Sequence, residues 1–182
     1  VKVFWRIKHT IFIISKEERK MEIIQIGESE AKMIAPLAAL FRVALKQFKG
    51  ISSLPDNDAG LAEIVEYLNS GFPCFAAKEG GTYTGYLVCR VDRPVVWVES
   101  VFVHEAYRRK GTATALFKKA EEIAASFGET TVYNYVHPNN SQMIAFLRRH
   151  GYTVLNLIEI RKPYPDEKLL QKIDVGENTF DY

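Results

Sequence analysis

The sequence holds only two cysteines in 182 residues, Cys74 and Cys89, and neither belongs to a C-x-x-C pair or a His/Cys cluster. That spacing gives no zinc site and no disulfide framework, so no metal is expected and both thiols read as core residues. Sparse cysteine suits a reducing compartment, and the cytoplasm is the expected address. No uninterrupted apolar run reaches the roughly 18 residues that a membrane span needs. The longest near the start, Thr10 to Ile14, is too short for a signal-peptide core and no small-residue cleavage site follows it. No membrane partner is expected.

Charge of one sign is also missing. Residues 1–20 carry six Lys/Arg against two Glu, a net of +4, so a whole-chain charge of +2 leaves −2 for the other 162 residues. A body so balanced has no electrostatic footprint for a polyanion, and no nucleic-acid partner is expected. There is no internal repeat and no low-complexity tract. The composition, 47% hydrophobic and 25% charged, is that of a globular chain, and the length suits one core.

Residues 1–20 lack a helix or strand period and end in the run KEERK just before Met21. They read as an N-terminal extension, and as translated leader if the natural start is Met21, since purine-rich codons for that run would resemble a ribosome-binding site. A basic, aromatic arm is the alternative. An N-terminal peptide from native cells that begins before Met21 would remove the leader. Residues 21–182 are expected to form one domain.

Met21 to Ile26 reads as a strand. Ser29 then offers a helix cap, and Ile34, Leu37, Ala38, Phe41, Leu45 and Phe48 recur at helical steps, with Pro36 either starting or kinking the helix. Leu61, Ile64, Val65 and Leu68 form a second helical face, with Asp56 to Asp58 as caps and Gly71 after it. Cys74–Ala77, Thr82–Val91 and Val95–Val103 are strand candidates with short connections, hence antiparallel neighbours. Ala113, Leu116, Phe117, Ala120, Ala124 and Phe127 then mark a strong helix that Gly128 ends. Thr130 to Val136 is strand-like, a last helix opens at Asn139 or Asn140 and stops at Gly151, Tyr152 to Arg161 is strand-like, and Lys168 to Tyr182 holds a further strand candidate. The order predicts an α+β fold in three layers: a mixed, mostly antiparallel central sheet of six or seven strands with about four helices.

The most specific stretch is VWVESVFVHEAYRRKGTATALF, where an apolar strand feeds a basic, Gly-containing loop that opens a helix. Unpaired amides at a helix start carry partial positive charge and suit a pyrophosphate. Gly111 would admit close approach of a ligand, Ala113 keeps the first turn small, and Arg108, Arg109 and Lys110 add charged donors. Neither G-x-x-x-x-G-K-[ST] nor G-x-G-x-x-G occurs, so a P-loop or dinucleotide fold is disfavoured.

This segment resembles the coenzyme A loop of the GNAT superfamily of N-acetyltransferases, whose pattern [QR]-x-x-G-x-[GA] is met by Arg108, Gly111 and Ala113. The later NNSQMIAFLRRHGY resembles that family's second motif, and the likeness extends over roughly 21–182. It implies a GNAT-like acyl-CoA N-acyltransferase fold with acetyl-CoA as co-substrate. By matching motif, the main chain of Val101, Phe102 and Val103 would hold the pantetheine arm like an added strand. Arg108, Arg109, Lys110, Gly111, Thr112, Ala113 and Thr114 would hold the pyrophosphate. Asn140 would contact the cofactor, or simply cap its helix, and Phe146 would flank it.

Acyl transfer to an amine needs a neutral amine, a stabilised oxyanion and a proton for the leaving thiolate. Glu99 is the candidate general base, as the only charged residue between Arg93 and His104, and strict alternation would put it on the face of Val101 and Val103. A Glu paired with an Arg is the plainer reading. A strand N–H near Val103 would meet the oxyanion. Many members of the resembled family carry Tyr as general acid four residues before the Gly of the second motif, and Leu147 stands there, so Tyr133, Tyr135 or solvent would supply the proton. His104 reads as a surface residue and His137, before Pro138, as structural.

The function expected is transfer of acetyl from acetyl-CoA to a primary amine of a small molecule or peptide; a non-catalytic acyl-CoA-binding sensor is the alternative. Met33 to Gly60 and Tyr164 to Tyr182 are the expected acceptor walls. Five Asp/Glu against two Lys from Asp166 onward hint at a cationic acceptor. An exposed terminal strand would ease pairing into a homodimer.

Overall fold

The computed structural model describes residues 20–169 and 171–182. The expected N-terminal extension, Lys20 apart, lies outside the described residues. The described residues form two compact units, one running to Ser141 and the other from Gln142 to Tyr182.

The first unit is built on a five-stranded sheet in chain order: β1 (Met21–Gln25), β2 (Cys74–Glu79), β3 (Thr82–Asp92), β4 (Val95–Val103) and β5 (Tyr133–Asn134). The first four strands pair antiparallel, as their short turns predict, and β5 joins β4 in parallel. Helices α1 (Glu28–Phe48) and α2 (Asn57–Asn69) cover one face, where Ile34, Leu37, Ala38 and Ile64 pack with Cys74, Ala76, Tyr86 and Val88. The opposite face takes α3 (Thr112–Ser126), whose Leu116, Phe117, Ala120 and Ala124 are buried as their spacing predicts. A Cβ on Gly85 of β3 would lie 3.3 Å from Leu116 and 2.8 Å from the carbonyl of Phe102, so the seating of α3 on the sheet requires a glycine there.

Several boundaries differ from expectation. The first helix begins at Glu28, with Gly27 as cap and the Gly27 amide donating 3.1 Å to the Glu30 carboxylate; Ser29 is not the cap, and the helix continues through Pro36. The second helix is capped as expected, the Asp56 carboxylate accepting from Ala59 N at 2.9 Å. Of the strand expected over Thr130–Val136, only Tyr133 and Asn134 pair.

The second unit holds most of α4 (Ser141–Arg149) and a hairpin of β6 (Lys172–Val175) and β7 (Asn178–Asp181). The expected sheet of six or seven strands is therefore a sheet of five and a separate hairpin of two. The strand expected over Tyr152–Arg161 is absent. Its β-branched and leucine side chains stand in solvent, Val154 at 86% and Leu155 at 72% exposed. Strand propensity expresses fit to a neighbouring strand and a half-buried surface, and this run has neither.

Candidate active site

The centre of the first unit is a β-bulge. Val88 of β3 lies opposite Ser100 and Cys89 lies opposite Val98, which leaves Glu99 as an extra residue on β4. The bulge breaks alternation, and the expected placement of Glu99 beside Val101 and Val103 is corrected. Val103 approaches Gly85 on the α3 side, whereas the Glu99 carboxylate lies 3.5 Å from Nη1 of Arg90. It also acts on Tyr67 of α2, whose phenol is pushed above its ordinary pKa by burial first and then by the charges of Glu63 and Glu99. Next to it, the buried Ser100 hydroxyl meets Tyr86 Oη at 2.7 Å.

Arg90 and Trp97 face each other across the β3–β4 hairpin and gather the other candidates. The Arg90 guanidinium lies 5.3 Å from the centre of the Trp97 ring. Tyr135 stacks on that indole at 4.7 Å with an 8° tilt, while Tyr133 packs against it at 4.9 Å. Glu99, Tyr133 and Tyr135 thus share one patch, organised by two residues that sequence reasoning missed. The signal was available: the Asp92-Arg93-Pro94 turn fixes the hairpin register, and that register sets Arg90 against Trp97.

Beyond the bulge, β4 and β5 part. Their pairing consists of Trp97 with Tyr133 and Val98 with Asn134, while β4 runs on to Val103. The His104 amide donates to Thr84 O at 2.9 Å, so alternation turns the amides of Val101 and Val103 away from β3, toward the gap. Phe102, engaged with β3, offers a side chain that packs at 6.3 Å from Phe41 instead of a free main chain.

The chain leaves β4 through a single 3-10 turn, Glu105–Tyr107, whose Ala106 amide donates to His104 Nδ1 at 3.3 Å. His104 is a cap there. Arg109 (φ 64°) and Gly111 (φ 85°) are both left-handed, a backbone pattern that turns successive amides into a concavity for an anion. No side chain caps α3 at Gly111, and a Cβ placed there would meet nothing within 4 Å. Open space above an uncapped helix start fits a diphosphate. Gly111 and Thr114 are exposed and Ala113 is half-buried, whereas Thr112 is buried with its hydroxyl on Tyr107 O at 3.3 Å, so only its main chain faces outward chemistry. Lys110 reaches Ala106 O at 3.0 Å and Arg108 reaches Val103 O at 2.9 Å, so both cations also brace the loop.

Asn140 follows a tight turn in which its amide donates to His137 O at 2.8 Å. His137 stacks on Phe48 at 5.7 Å, and burial together with Lys49 holds its pKa below the usual imidazole value. The neighbouring Asn139 ties the turn to Phe48 O at 2.9 Å, so the structural reading of His137 suits its surroundings. In the second unit, Phe146 is half-buried with its ring 4.5 Å from that of His150, and Leu147 is buried. A cavity of about 480 Å³ opens between Met33, Leu37 and Leu40 of α1 and Thr82 and Tyr83 of β3, with His104 at its rim. Among the described residues, no group of three or more His, Cys, Asp or Glu is placed to hold a metal ion, and no helix is long and apolar enough to cross a membrane.

A sheet that parts beside an uncapped helix start offers an open strand edge and an anion site in one place. Residues 37–152 match the acetyltransferase (GNAT) family, more than half of the chain, and the chain belongs to that family, which uses acetyl-CoA as co-substrate. The fold is similar to that of AAC(6')-Iy in complex with a CoA-S-monomethyl-acetylneamine bisubstrate analogue, at 23% identity and TM-score 0.60 over 80% of this chain and 99% of that one. It is similar to a ribosomal-protein-alanine N-acetyltransferase from Brucella melitensis biovar Abortus 2308, at 17% identity and TM-score 0.59, covering 80% and 99%. The PaiA N-acetyltransferase of Thermoplasma acidophilum in complex with coenzyme A matches at 20% identity and TM-score 0.58, covering 72% and 88%. At these identities the likeness is one of fold. No curated protein sequence matches the chain.

Proposed function

We propose that this chain transfers the acetyl group of acetyl-CoA directly to a primary amine of a small molecule or peptide, in the cytoplasm, with Glu99 as general base. The observation that carries this reading is the bulge: it sets a carboxylate at the point where β4 leaves β5, two residues before the first gap-facing amide at Val101. Acetyl-CoA supplies the activated acetyl group. The chain's own contribution is to hold it and to move a proton. The amide of Val101 holds the arm and that of Val103 its thioester carbonyl, those from Gly111 to Thr114 hold the diphosphate, and Arg109 sets the curve of the loop between them.

An acceptor amine with a pKa of about 10 arrives as ammonium, and a neighbouring carboxylate removes the proton that blocks its lone pair. The Val103 amide is the donor for the oxyanion. Return of a proton to the thiolate falls to Tyr133, Tyr135 or solvent, since Leu147 carries none. The solved structures with this fold are named for an aminoglycoside and for ribosomal-protein alanine, which span small-molecule and protein acceptors. The acidic C-terminal segment supports a cationic acceptor less than its composition suggests, because Glu167 pairs with Arg161 at 2.6 Å and Asp181 with Lys172 at 2.7 Å. The cavity beside α1 takes Met33, Pro36, Leu37 and Leu40 from the expected Met33–Gly60 wall and the rest of its lining from outside it, which supports only the start of that stretch as an acceptor surface. A homodimer through the outer edge of β7 is a further expectation, open to sedimentation velocity.

The test is a panel of diverse amines with acetyl-CoA, read by thiol release and by mass spectrometry for the gain of one acetyl group. Acetyl-CoA binding without thiol release for any amine would establish instead the non-catalytic sensor, the reading that the buried Leu147 favours.

A further inference from the structure

Arg90 is held on two sides. Its Nε donates to Asp92 Oδ2 at 3.1 Å, and its guanidinium lies 5.3 Å from the Trp97 ring centre. Trp97 is itself pinned between Tyr133 and Tyr135. What remains is Nη1, which stops 3.5 Å from Glu99 Oε2. Tight charge-assisted bonds close to about 2.7–2.9 Å, and Arg–carboxylate pairs are often bidentate. This pair is neither. The clamp keeps the cation close enough to be felt and too far to seize both oxygens.

We infer that Arg90 is a positioning residue for Glu99: anchored by Asp92 and Trp97, it holds the carboxylate in place while leaving an oxygen to take the amine proton. The inference rests on the reading of Glu99 as base. The other ionisable groups around Glu99 are Asp92 on β3, Tyr67 and Glu63 on α2, and Tyr133 and Tyr135 at β5; Glu63 is matched by Arg42 at 2.6 Å. Among the described residues, Arg90 is the cation paired with Glu99. Both side chains are under a third exposed, at 30% and 27%, so solvent screens the pair only in part.

Without its anchor the carboxylate loses its fixed direction toward the amine. Arg90→Gln is expected to lower kcat about tenfold, with the amine KM and acetyl-CoA affinity nearly unchanged. Arg90→Lys, which lacks the planar fork, is expected to restore only part of the rate. Asp92→Asn frees the same clamp from its other end, so kcat falls in the same direction, and it carries the test if Arg90→Gln fails to fold. In the Glu99→Gln background, Arg90→Gln should cost nothing further.

An unchanged kcat in both Arg90→Gln and Asp92→Asn overturns the inference, as does an equal loss from Arg90→Gln with and without Glu99. A full rate for Glu99→Gln alone overturns the base reading and this inference with it. A slow Glu99→Gln beside a full rate in both clamp variants overturns only the role of Arg90.

Discussion

The guanidinium of Arg108 turns back on its own strand, its Nε donating to the carbonyl of Val103 at 2.9 Å and its face lying 5.6 Å from the Phe102 ring centre. That bond joins the two halves of the candidate site. It fixes the start of the loop to the last residue of β4 and takes up the one Val103 group, the carbonyl, that the reading does not need. The pattern position that Arg108 fills admits Gln or Arg, and both offer a side-chain N–H for this purpose.

Arg108→Ala is therefore expected to weaken acetyl-CoA binding by loosening the loop. A hydrogen bond from a charged donor contributes about 1.5–3 kcal/mol to the folded state, so the melting temperature should fall by a few degrees, and the loop ordering that the ligand must then supply should raise the dissociation constant by up to about tenfold. Arg108→Gln should recover much of the loss and Arg108→Lys less, because Lys is a point charge without the planar fork. Calorimetric titration with acetyl-CoA gives the ranking. Equal recovery by Lys and Gln would mean that charge at the phosphates, not the brace, is what matters.

At Gly111 the reason for glycine divides into backbone and space. Its φ of 85° costs an L-residue about 1–2 kcal/mol, yet no protein atom lies within 4 Å of an added Cβ. Gly111→Asn tolerates the left-handed conformation and should fold well; Gly111→Val meets both the strain and the ligand. We expect the acetyl-CoA Michaelis constant to rise roughly tenfold or more for Val and less for Asn, with kcat near its original value for each. A fall in turnover alone would remove the loop from the cofactor site.

Much of this was legible beforehand, for identifiable reasons. Helix α3 announced itself because Leu116, Phe117, Ala120 and Ala124 all face one core, and the hairpins did so because their turns are short. The anion-binding loop was legible because Gly111 opens a helix immediately after an apolar strand. The face of Glu99 was not, since a bulge depends on how Val98 and Ser100 find partners on β3, and nothing local to VWVESVFV signals the extra residue. The same dependence on neighbours misled the reading of Tyr152–Arg161, where the residue types favour a strand and no partner strand is present. Thr112 likewise reads as a phosphate ligand by position, although burial turns its hydroxyl to Tyr107.

Replacing Glu99 by Gln keeps the shape and removes the base. Turnover at neutral pH is expected to fall by roughly 10²-fold or more while acetyl-CoA affinity stays nearly constant. Steady-state kinetics with saturating acetyl-CoA and the best amine from the panel measures it. Raising the pH should narrow the difference, because more of the amine then arrives neutral and needs no base. A constant deficit across the pH range would point to a packing or positioning effect of the side chain instead of proton transfer.

The last expectation concerns stability in alkali. Cys74 and Cys89 are buried and free, Cys74 with its sulfur 3.3 Å from Phe72 O, and burial pushes both thiols up to about 12; the charge of Cys74 adds to the effect at Cys89. An unfolded thiol ionises near about 8.5, so below that pH both states are protonated and the thiols' contribution to stability is fully present. Above it the unfolded chain loses its protons first, and stability falls as pH rises toward about 12. Denaturant unfolding at successive alkaline pH values should show this decline. The double variant Cys74→Ala, Cys89→Ala, though less stable throughout because it leaves small cavities, should show a flatter one. Rapid alkylation of the folded protein near pH 8 would defeat the argument at its source, since a thiol that reacts there has neither the burial nor the raised pKa on which the slope depends.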